Sequence, residues 1–260
     1  MIPVAHKQLI VTTSWDDGDP RDWKVADRLV ASGVRGTFYV PLTGNLGGPT
    51  LSSSEIRSLA FAGFEVGAHT VSHRSLTGLS LEEVRHEVRD SKKSLQDILG
   101  HEVSMFCYPR GRYDARVLQE VRRAGFEGAR TTRMLSLRAD FPRFEMPTTV
   151  QAYPHSTLAY MRNLTRGKNV PGLFRYITSL RFYRRWADLG RVLFDQALEE
   201  GGVWHLYGHS WEIDELGLWG QLAELLRYVG GRDGVIYATN SEALKLLQSD
   251  SPQVLAGCPA

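Results

Sequence analysis

Cysteine, long apolar runs and an excess of one charge sign are all scarce in this chain of 260 residues. It has only two cysteines, Cys107 and Cys258, which cannot form a disulfide framework. No apolar run is long enough to cross a bilayer or to form the core of a secretory signal, which favours a cytoplasmic protein without a membrane span. Because 31 Lys and Arg nearly balance 29 Asp and Glu, the overall charge does not indicate a nucleic-acid-binding protein.

Short apolar segments alternate with amphipathic ones along most of the chain. Ser52 with Glu55 and Ser80 with Glu83 have the spacing of capping boxes, which predicts where two helices begin. Alternating strands and helices predict an α/β protein with a parallel sheet, here a closed (β/α) barrel of seven or eight parallel strands. The predicted strands lie at residues 9–13, 34–40, 64–68, 103–108, 126–131, 145–150, 203–207 and 235–239.

Carboxylates and imidazoles follow two of these predicted strands. Asp16 and Asp17 come after the first strand, and His69 and His73 come after the third. Asp17 with the two histidines supplies three ligands for a divalent metal and leaves a position for water, as in catalytic rather than structural sites. Asp16 is then available as a general base. A turn and surface histidines would explain each motif alone, but their joint position at strand ends favours a metal site.

The same residues resemble the first two motifs of the polysaccharide deacetylases, the NodB-homology group of carbohydrate esterase family 4. Ser-Trp-Asp-Asp-Gly at 14–18 and His-Thr-Val-Ser-His at 69–73 carry the resemblance. It implies that Asp16 is the catalytic base and that Asp17, His69 and His73 bind the metal. Zinc is expected first, and cobalt, iron(II) and nickel remain alternatives. The resemblance covers most of the chain outside 151–200 and implies a single domain over residues 1–260, folded as a distorted (β/α) barrel.

The third and fourth motifs of the family are altered or missing here. Phe-Cys-Tyr-Pro-Arg-Gly at 106–111 takes the place of the third motif. The resemblance implies that the amide of Arg110 stabilises the oxyanion, with Tyr108 and Pro109 beside the substrate, although a simple turn is the alternative. The family's arginine that supports the base aligns with Cys107, and no Asp-x-x-Asp-Trp motif is present. The sequence therefore does not show what orients Asp16.

The seventh predicted strand ends beside the last family motif. The resemblance implies that His209 protonates the leaving amine, with Tyr207 two residues before it on the substrate side. His205 shares this face of the strand and is the alternative, but it is predicted to be a core histidine. Trp211 and Glu212 are predicted to contact a sugar by stacking and hydrogen bonds, or else to be ordinary loop residues.

A strongly basic stretch lies within a predicted helical insertion at about residues 155–200. Residues 160–191 contain eight Lys and Arg but a single acid, Asp188. Apolar residues at helical spacing over 173–183 predict one amphipathic helix with a basic side. This helix is either a solvated surface or a site for phosphate or an anionic surface. The second interpretation predicts a phosphate-bearing or lipid-linked carbohydrate substrate and peripheral membrane contact through 160–191.

Taken together, these features predict a metal-dependent hydrolase that removes N-acetyl groups from an amino-sugar-containing glycan or glycan precursor. One alternative is a hydrolase of another acyl or cyclic amide bond, as in the allantoinase-like relatives, which the altered motifs favour. Another is a carbohydrate-binding protein that keeps the metal without turnover, which the missing arginine and aspartate support favours. The presence of both Asp16 and His209 argues against a pure binding protein.

Overall fold

The computed structural model describes residues 8–43, 48–183 and 185–249. Its strands are β1 (Leu9–Asp16), β2 (Thr37–Val40), β3 (Glu65–Ala68), β4 (Met105–Cys107), β5 (Gly128–Arg130), β6 (Val150–Gln151), β7 (Gly202–Gly208) and β8 (Val235–Tyr237). Its helices are α1 (Asp22–Ala31), α2 (Ser53–Phe61), α3 (Leu81–Leu99), α4 (Ala115–Arg123), α5 (Thr157–Arg166), α6 (Val170–Thr178), α7 (Trp186–Glu200), α8 (Ser210–Glu215), α9 (Trp219–Val229) and α10 (Asn240–Ser249).

Both predicted capping boxes are confirmed. The Ser52 hydroxyl accepts a hydrogen bond from the backbone of Glu55, whose carboxylate accepts one from the backbone of Ser52 at 2.8 Å. Ser80 and Glu83 repeat this exchange at the start of α3. These bonds satisfy backbone donors that have no partner within the first helical turn, so local sequence alone determines where α2 and α3 begin.

The strands form a parallel sheet that curves until its two ends meet. Their order is β5-β4-β3-β2-β1-β7-β6, and β8 pairs with the amino-terminal half of β1. The segment before β6 reaches back to β5 through a parallel bridge between Arg130 and Met146. The predicted distorted barrel of seven or eight parallel strands is confirmed.

The parallel arrangement gathers all strand ends of one kind at one end of the barrel. Every residue of β1 is buried, including Trp15 and Asp16. Asp16, Cys107 and Arg130 are the last residues of β1, β4 and β5, and His69 directly follows β3. This end of a (β/α) barrel is where such folds place their chemistry.

The insertion between β6 and α7 differs from the prediction. The single amphipathic helix predicted over 173–183 is wrong, because α6 ends before Ser179, where φ is −131°. Tyr176 and Leu180 are buried, whereas Ile177 and Tyr183 are each 41% exposed, so these residues do not share one helical face. Within the described residues, no helix combines the length and apolar character needed to cross a bilayer.

Candidate active site

A cavity of about 960 Å³ opens at the carboxyl ends of the strands. The sequence-predicted residues that line it are Asp16, Asp17, His69, His73, Arg110, Tyr207, His209 and Trp211. The two aspartates and the histidines at 69 and 73 are at most 9% exposed, so they lie at its buried end. Residues from four different strands or strand-end loops are therefore brought together as the sequence predicted.

The predicted metal ligands converge on one point. Asp17 Oδ1 lies 3.2 Å from His73 Nε2 and 3.7 Å from His69 Nε2. Asp17, with φ 80°, and His73, with φ 55°, both adopt left-handed backbone conformations that are strained for residues other than glycine. Two imidazole nitrogens and one carboxylate oxygen are a donor set that zinc and similar divalent metals bind at catalytic sites.

Fixed hydrogen bonds orient two of these ligands. The backbone carbonyl of Cys107 lies 2.9 Å from His69 Nδ1, so Nδ1 carries the proton and Nε2 keeps its lone pair. Trp211 Nε1 donates to Asp17 Oδ2 at 3.0 Å. Burial lowers the pKa of His69 to about 4 and also lowers that of His73, which keeps both rings neutral, as metal ligands must be. The residues fit a metal.

A second cluster of donor atoms, formed by Asp16, His69 and Cys107, is a weaker candidate. In this cluster the Asp16 carboxylate already accepts a hydrogen bond from the buried guanidinium of Arg130, whose positive charge repels a cation there. The cluster around Asp17 is therefore favoured as the metal position.

Glu87 supports the loop that carries the two histidines. The backbone N–H groups of Val71 and Ser72 each donate to Glu87 Oε2 at 2.9 Å, and the Ser72 hydroxyl donates to the other carboxylate oxygen. Thr70, itself at φ 70°, accepts a bond from the backbone of His73. Sequence reasoning missed Glu87, although an acid on the buried face of α3 is a signal that could have identified it.

An arginine that the sequence did not identify holds the predicted base. Arg130 Nη2 donates a short hydrogen bond to Asp16 Oδ1, and the Arg130 side chain is completely buried. Arg130 is paired with Cys107 across the β4–β5 register. The family's arginine would stand at the position of Cys107 on β4. Here the guanidinium reaches Asp16 from the neighbouring strand, β5. The signal that could have identified Arg130 is a single arginine within a strand predicted to be buried.

The charge of Arg130 controls the ionisation of Asp16. Burial raises the pKa of Asp16, but the guanidinium of Arg130, with smaller contributions from His69 and His209, lowers it to about 2. The Arg130 guanidinium also lies 4.8 Å from the centre of the Tyr207 ring and 5.4 Å from that of Tyr39. Aromatic faces thus stabilise a cation that is buried from water, and Asp16 stays ionised.

His209 is oriented by a carboxylate of its own. Glu212 Oε2, in the first turn of α8, lies 2.6 Å from His209 Nδ1, and His209 Nε2 lies 3.9 Å from Asp16 Oδ2. Burial lowers the pKa of His209, but the hydrogen bond to Glu212 and the charges of Asp16, Glu212 and Asp17 raise it to about 9. The imidazole is therefore protonated at neutral pH, with Nε2–H beside the base.

Gln151 links this carboxylate to the cavity wall. Its side-chain amide donates to Glu212 Oε2 at 3.3 Å, and its carbonyl oxygen accepts from the hydroxyl of Tyr207. His155 Nε2 lies 2.8 Å from the same carbonyl oxygen. The network fixes Glu212, and through it the orientation of the imidazole at 209.

Three predicted substrate contacts need correction. Tyr108 and Pro109 are buried and do not line the cavity, whereas Arg110, which follows them, does. The Tyr108 hydroxyl donates to the carbonyl of Phe144 at 3.1 Å, and its ring stacks on Tyr113, which does line the cavity. Glu212, predicted to bond a sugar, bonds instead to the catalytic candidate at 209.

Arg110 and His205 lie where the sequence placed them. Arg110 lines the cavity at φ 57°, in a turn in which the Gly111 amide donates to the Tyr108 carbonyl at 2.8 Å. A Cβ on Gly111 would come within 2.0 Å of the Thr132 hydroxyl, so only glycine fits this turn. His205 is buried, with Nε2 2.8 Å from the Ser14 hydroxyl, which confirms a core histidine.

Arginines dominate the wall of the cavity. Five of them line it, namely Arg110, Arg112, Arg133, Arg162 and Arg166. Among the described residues, only Arg133 of these five forms an ion pair, with Glu145 at 2.6 Å. The cavity therefore combines a carboxylate and imidazole end with a cationic wall.

Comparison with known proteins agrees with this site. Residues 4–129 match the family model described as polysaccharide deacetylase. Chitin deacetylase 1 of Cryptococcus neoformans is 33% identical over 105 residues, which are 40% of this chain and 22% of that protein. The peptidoglycan-N-acetylglucosamine deacetylase PgdA of Listeria monocytogenes is 26% identical over 122 residues, which are 46% of this chain and 25% of that protein. The chain thus matches about a quarter of the length of these curated relatives.

A solved structure shares the fold over nearly the whole chain. It is that of a candidate polysaccharide deacetylase from Mycobacterium smegmatis, with a TM-score of 0.70 and 18% identity. The superposition covers 98% of this chain and 96% of that one. The motifs at 14–18 and 69–73 lie within the matched residues 4–129 and form the buried end of the cavity. The part of this chain that carries both motifs, residues 4–129, therefore matches the polysaccharide deacetylase family.

Proposed function

We propose that the protein is a metal-dependent hydrolase that removes the N-acetyl group of an amino sugar. The observation that carries this proposal is the grouping of three functions in one cavity. A donor set for a divalent metal, an ionised carboxylate and a protonated imidazole all lie at its buried end. Amide hydrolysis needs an activated water, a base and an acid for the departing nitrogen, and these groups can supply them.

Asp17, His69 and His73 are the residues that would hold the metal. A bound divalent cation supplies a Lewis acid for the acetyl carbonyl and lowers the pKa of water. Zinc suits two imidazoles and a carboxylate, and cobalt, iron(II) and nickel accept the same donors. The hydrogen bonds from His69 to Cys107 and from Trp211 to Asp17 hold the donor atoms in place.

Asp16 accepts the proton of the attacking water. Its carboxylate is ionised because Arg130 lowers its pKa to about 2, and it lies at the same buried end of the cavity as the metal ligands. Arg130 keeps the carboxylate oriented while the second oxygen, Oδ2, faces His209. The backbone N–H of Arg110 is proposed to donate to the oxyanion as the carbonyl carbon becomes tetrahedral.

His209 gives its Nε2 proton to the amine nitrogen as the carbon–nitrogen bond breaks. Glu212 holds Nδ1 and stabilises the imidazolium, so the proton available for transfer is on the other nitrogen. The water's oxygen and the acetyl group leave as acetate, and the sugar leaves with a free amine. The base and the acid lie 3.9 Å apart, close enough to serve the same scissile bond.

The cationic wall favours an amino sugar that carries an anionic group such as phosphate. Arginine binds phosphate with two parallel donors, and Arg162 and Arg166 bring such donors to the cavity from α5. Not all of the predicted basic stretch contributes. Arg181 stacks on Phe182, Arg185 pairs with Glu224, and neither lines the cavity. Arg184 lies outside the described residues.

A carbohydrate-binding protein without turnover is the less favoured alternative. Its main argument was the missing arginine and aspartate support for the base. Arg130 holds Asp16 from another strand, and Glu212 orients His209, which favours an enzyme. Hydrolysis of a cyclic amide by the same groups is the second alternative.

Acetate release from a panel of substrates tests the proposal. The panel contains neutral N-acetylated sugars, the same sugars bearing phosphate, and a cyclic amide. We expect acetate from the phosphate-bearing sugars at the lowest KM and no opening of the cyclic amide. The double variant Arg162→Glu/Arg166→Glu should raise KM for phosphate-bearing sugars by at least about tenfold and leave that for neutral sugars unchanged.

The matched control is Arg57→Glu/Arg89→Glu, which makes the same charge change at exposed positions on α2 and α3 outside the cavity. If both double variants change KM alike, the effect is one of overall charge. Opening of the cyclic amide without acetate release would replace the deacetylase proposal with the alternative.

A further inference from the structure

Exposed apolar side chains are concentrated beside the cavity, in residues 157–183. Eleven large hydrophobic side chains are exposed among the described residues, and six of them lie in this segment. They are Leu158, Val170, Phe174, Ile177, Phe182 and Tyr183. Isolated exposed apolar residues are ordinary, but such a cluster within one short segment marks an interaction surface.

Three of these residues form a stripe along α6. Val170, Phe174 and Ile177 lie four and then three residues apart, and are 70%, 72% and 41% exposed. Tyr176, on the other side of the helix, is buried and packs against the ring of Tyr160 from α5. The helix therefore attaches to the protein by one face and presents an apolar face outward.

The charge of the segment indicates what covers this face. Residues 157–183 contain no Asp or Glu but five basic residues, which are Arg162, Arg166, Lys168, Arg175 and Arg181. Within the described part of the chain, Arg175 is the only one of them in an ion pair, with Glu200 at 3.5 Å. Apolar and aromatic residues interspersed with unopposed cations are typical of helices that lie in the headgroup region of anionic membranes.

A second copy of the chain fits this surface poorly. In a two-fold dimer the same patch meets itself, so Lys168 and Arg181 would face the same cations of the second copy, and residues 157–183 contain no acid to pair with them. An anionic bilayer has the opposite charge and also accepts the apolar stripe. Charge complementarity therefore selects the lipid surface over self-association.

The surface is continuous with the cavity. Arg162 and Arg166 line the cavity from α5, as does Gly167 in the turn that leads to α6. Leu158 lies one helical turn before Arg162 and is 76% exposed. A bilayer against α6 would thus lie beside the cationic wall of the cavity.

We propose that residues 157–183 dock the protein on an anionic lipid bilayer. The apolar stripe of α6 and the ring of Phe182 enter the headgroup boundary, while Lys168 and Arg181 pair with lipid phosphates. The cavity then opens next to the membrane surface, within reach of an amino sugar carried on a lipid phosphate. The docking itself does not depend on the deacetylase reaction proposed above.

Vesicle sedimentation of the 260-residue chain tests the docking. We expect binding to vesicles of equal parts phosphatidylcholine and phosphatidylglycerol, and none to phosphatidylcholine alone. The variant Val170→Ser/Phe174→Ser/Ile177→Ser should weaken binding at least about tenfold, because its apolar contacts with the bilayer are lost. Lys168→Glu/Arg181→Glu should weaken it by a similar factor, since each basic residue contributes roughly fivefold to partitioning.

The matched control is Val30→Ser/Phe61→Ser/Leu81→Ser, which replaces similar exposed residues on α1, α2 and α3 and should bind as the unmodified protein does. No binding to anionic vesicles, or equal losses in the two triple variants, would overturn the proposal. It would also be overturned by self-association in sedimentation velocity that the α6 variant abolishes, because a second copy would then cover the face. Acetate release from a neutral soluble sugar should be unchanged in the α6 variant, so loss of vesicle binding and loss of catalysis are separate results.

Discussion

The two sides of the active-site cavity are built in different ways. On the metal side, Asp17, His69 and His73 lie in two short motifs that follow β1 and β3, the strands on either side of β2. On the acid–base side, Asp16 and His209 depend on Arg130 and Glu212, which belong to no family motif in this chain. The metal ligands, the base and the acid are readable from local sequence, whereas the residues that support the base and the acid are not.

The difference follows from what each group has to do. A metal ligand must bring one particular atom within bonding distance, so residue type, spacing and backbone conformation are all constrained. Asp17 and His73 even adopt left-handed conformations to do so. A supporting charge acts through space, and a guanidinium from any adjacent strand serves if it reaches the carboxylate. Arg130 is an example, since it lies beside Cys107 in the neighbouring strand.

The largest expected effect on the acid–base side comes from the acid itself. His209→Ala should lower kcat by roughly 10²–10⁴-fold, as loss of one positioned acid usually does, while the protein keeps its metal. His205→Ala is the control, because that buried ring bonds to Ser14 and the carbonyl of Pro147 and should cost stability rather than chemistry. If the folded, metal-loaded His205→Ala protein is inactive and His209→Ala is active, the assignment is wrong.

Removing Arg130 should affect both stability and pH dependence. Arg130→Met leaves Asp16 buried without its counter-ion and should lower the free energy of unfolding by about 3–5 kcal/mol. The Asp16 carboxylate then titrates at higher pH, so the acidic limb of the kcat/KM profile should move to higher pH. Denaturant unfolding and a pH–rate profile measure the two effects.

The pH dependence of the free energy of unfolding tests the ion pair of Asp16 and Arg130 independently. In the unmodified protein the pKa of Asp16 is about 2, below its ordinary value of 3.8, so its contribution to stability is present above pH 3.8 and is lost as pH falls towards 2. Arg130→Met should lose this contribution.

The double variant Asp16→Asn/Arg130→Met should recover much of the stability without the activity, because no unpaired buried charge remains. Equal stabilities of the two variants would contradict the pairing.

A smaller effect is expected from the carboxylate behind the acid. Glu212→Gln removes a charge that helps to raise the pKa of His209 to about 9, so the alkaline limb of the activity profile should move to lower pH. We expect kcat at neutral pH to fall by less than in His209→Ala. Glu215→Gln, an exposed change in the same helix, should leave the profile unchanged. A profile that is identical in the two glutamine variants would show that Glu212 does not act on the imidazole.

Much of the fold could be predicted because its signals are local. Capping boxes determined the starts of α2 and α3, and short apolar runs before polar motifs located β1 and β3. The strand-end rule then placed the metal ligands and His209 together. Arg130 and Glu87 could not be assigned, because their roles depend on which strands and helices become neighbours. The end of α6 before Ser179 was likewise not predictable, because apolar residues continue at helical spacing beyond Ser179 although the helix stops there.

The most direct test of the account compares metal content with acetate release in two neighbouring variants. Asp16→Asn should retain about one metal per chain and lose roughly 10²–10⁴-fold in acetate release, because only the base is removed. Asp17→Asn should lose the metal together with the activity. A metal-free Asp16→Asn protein beside a metal-loaded Asp17→Asn protein would contradict the assignment of base and ligand.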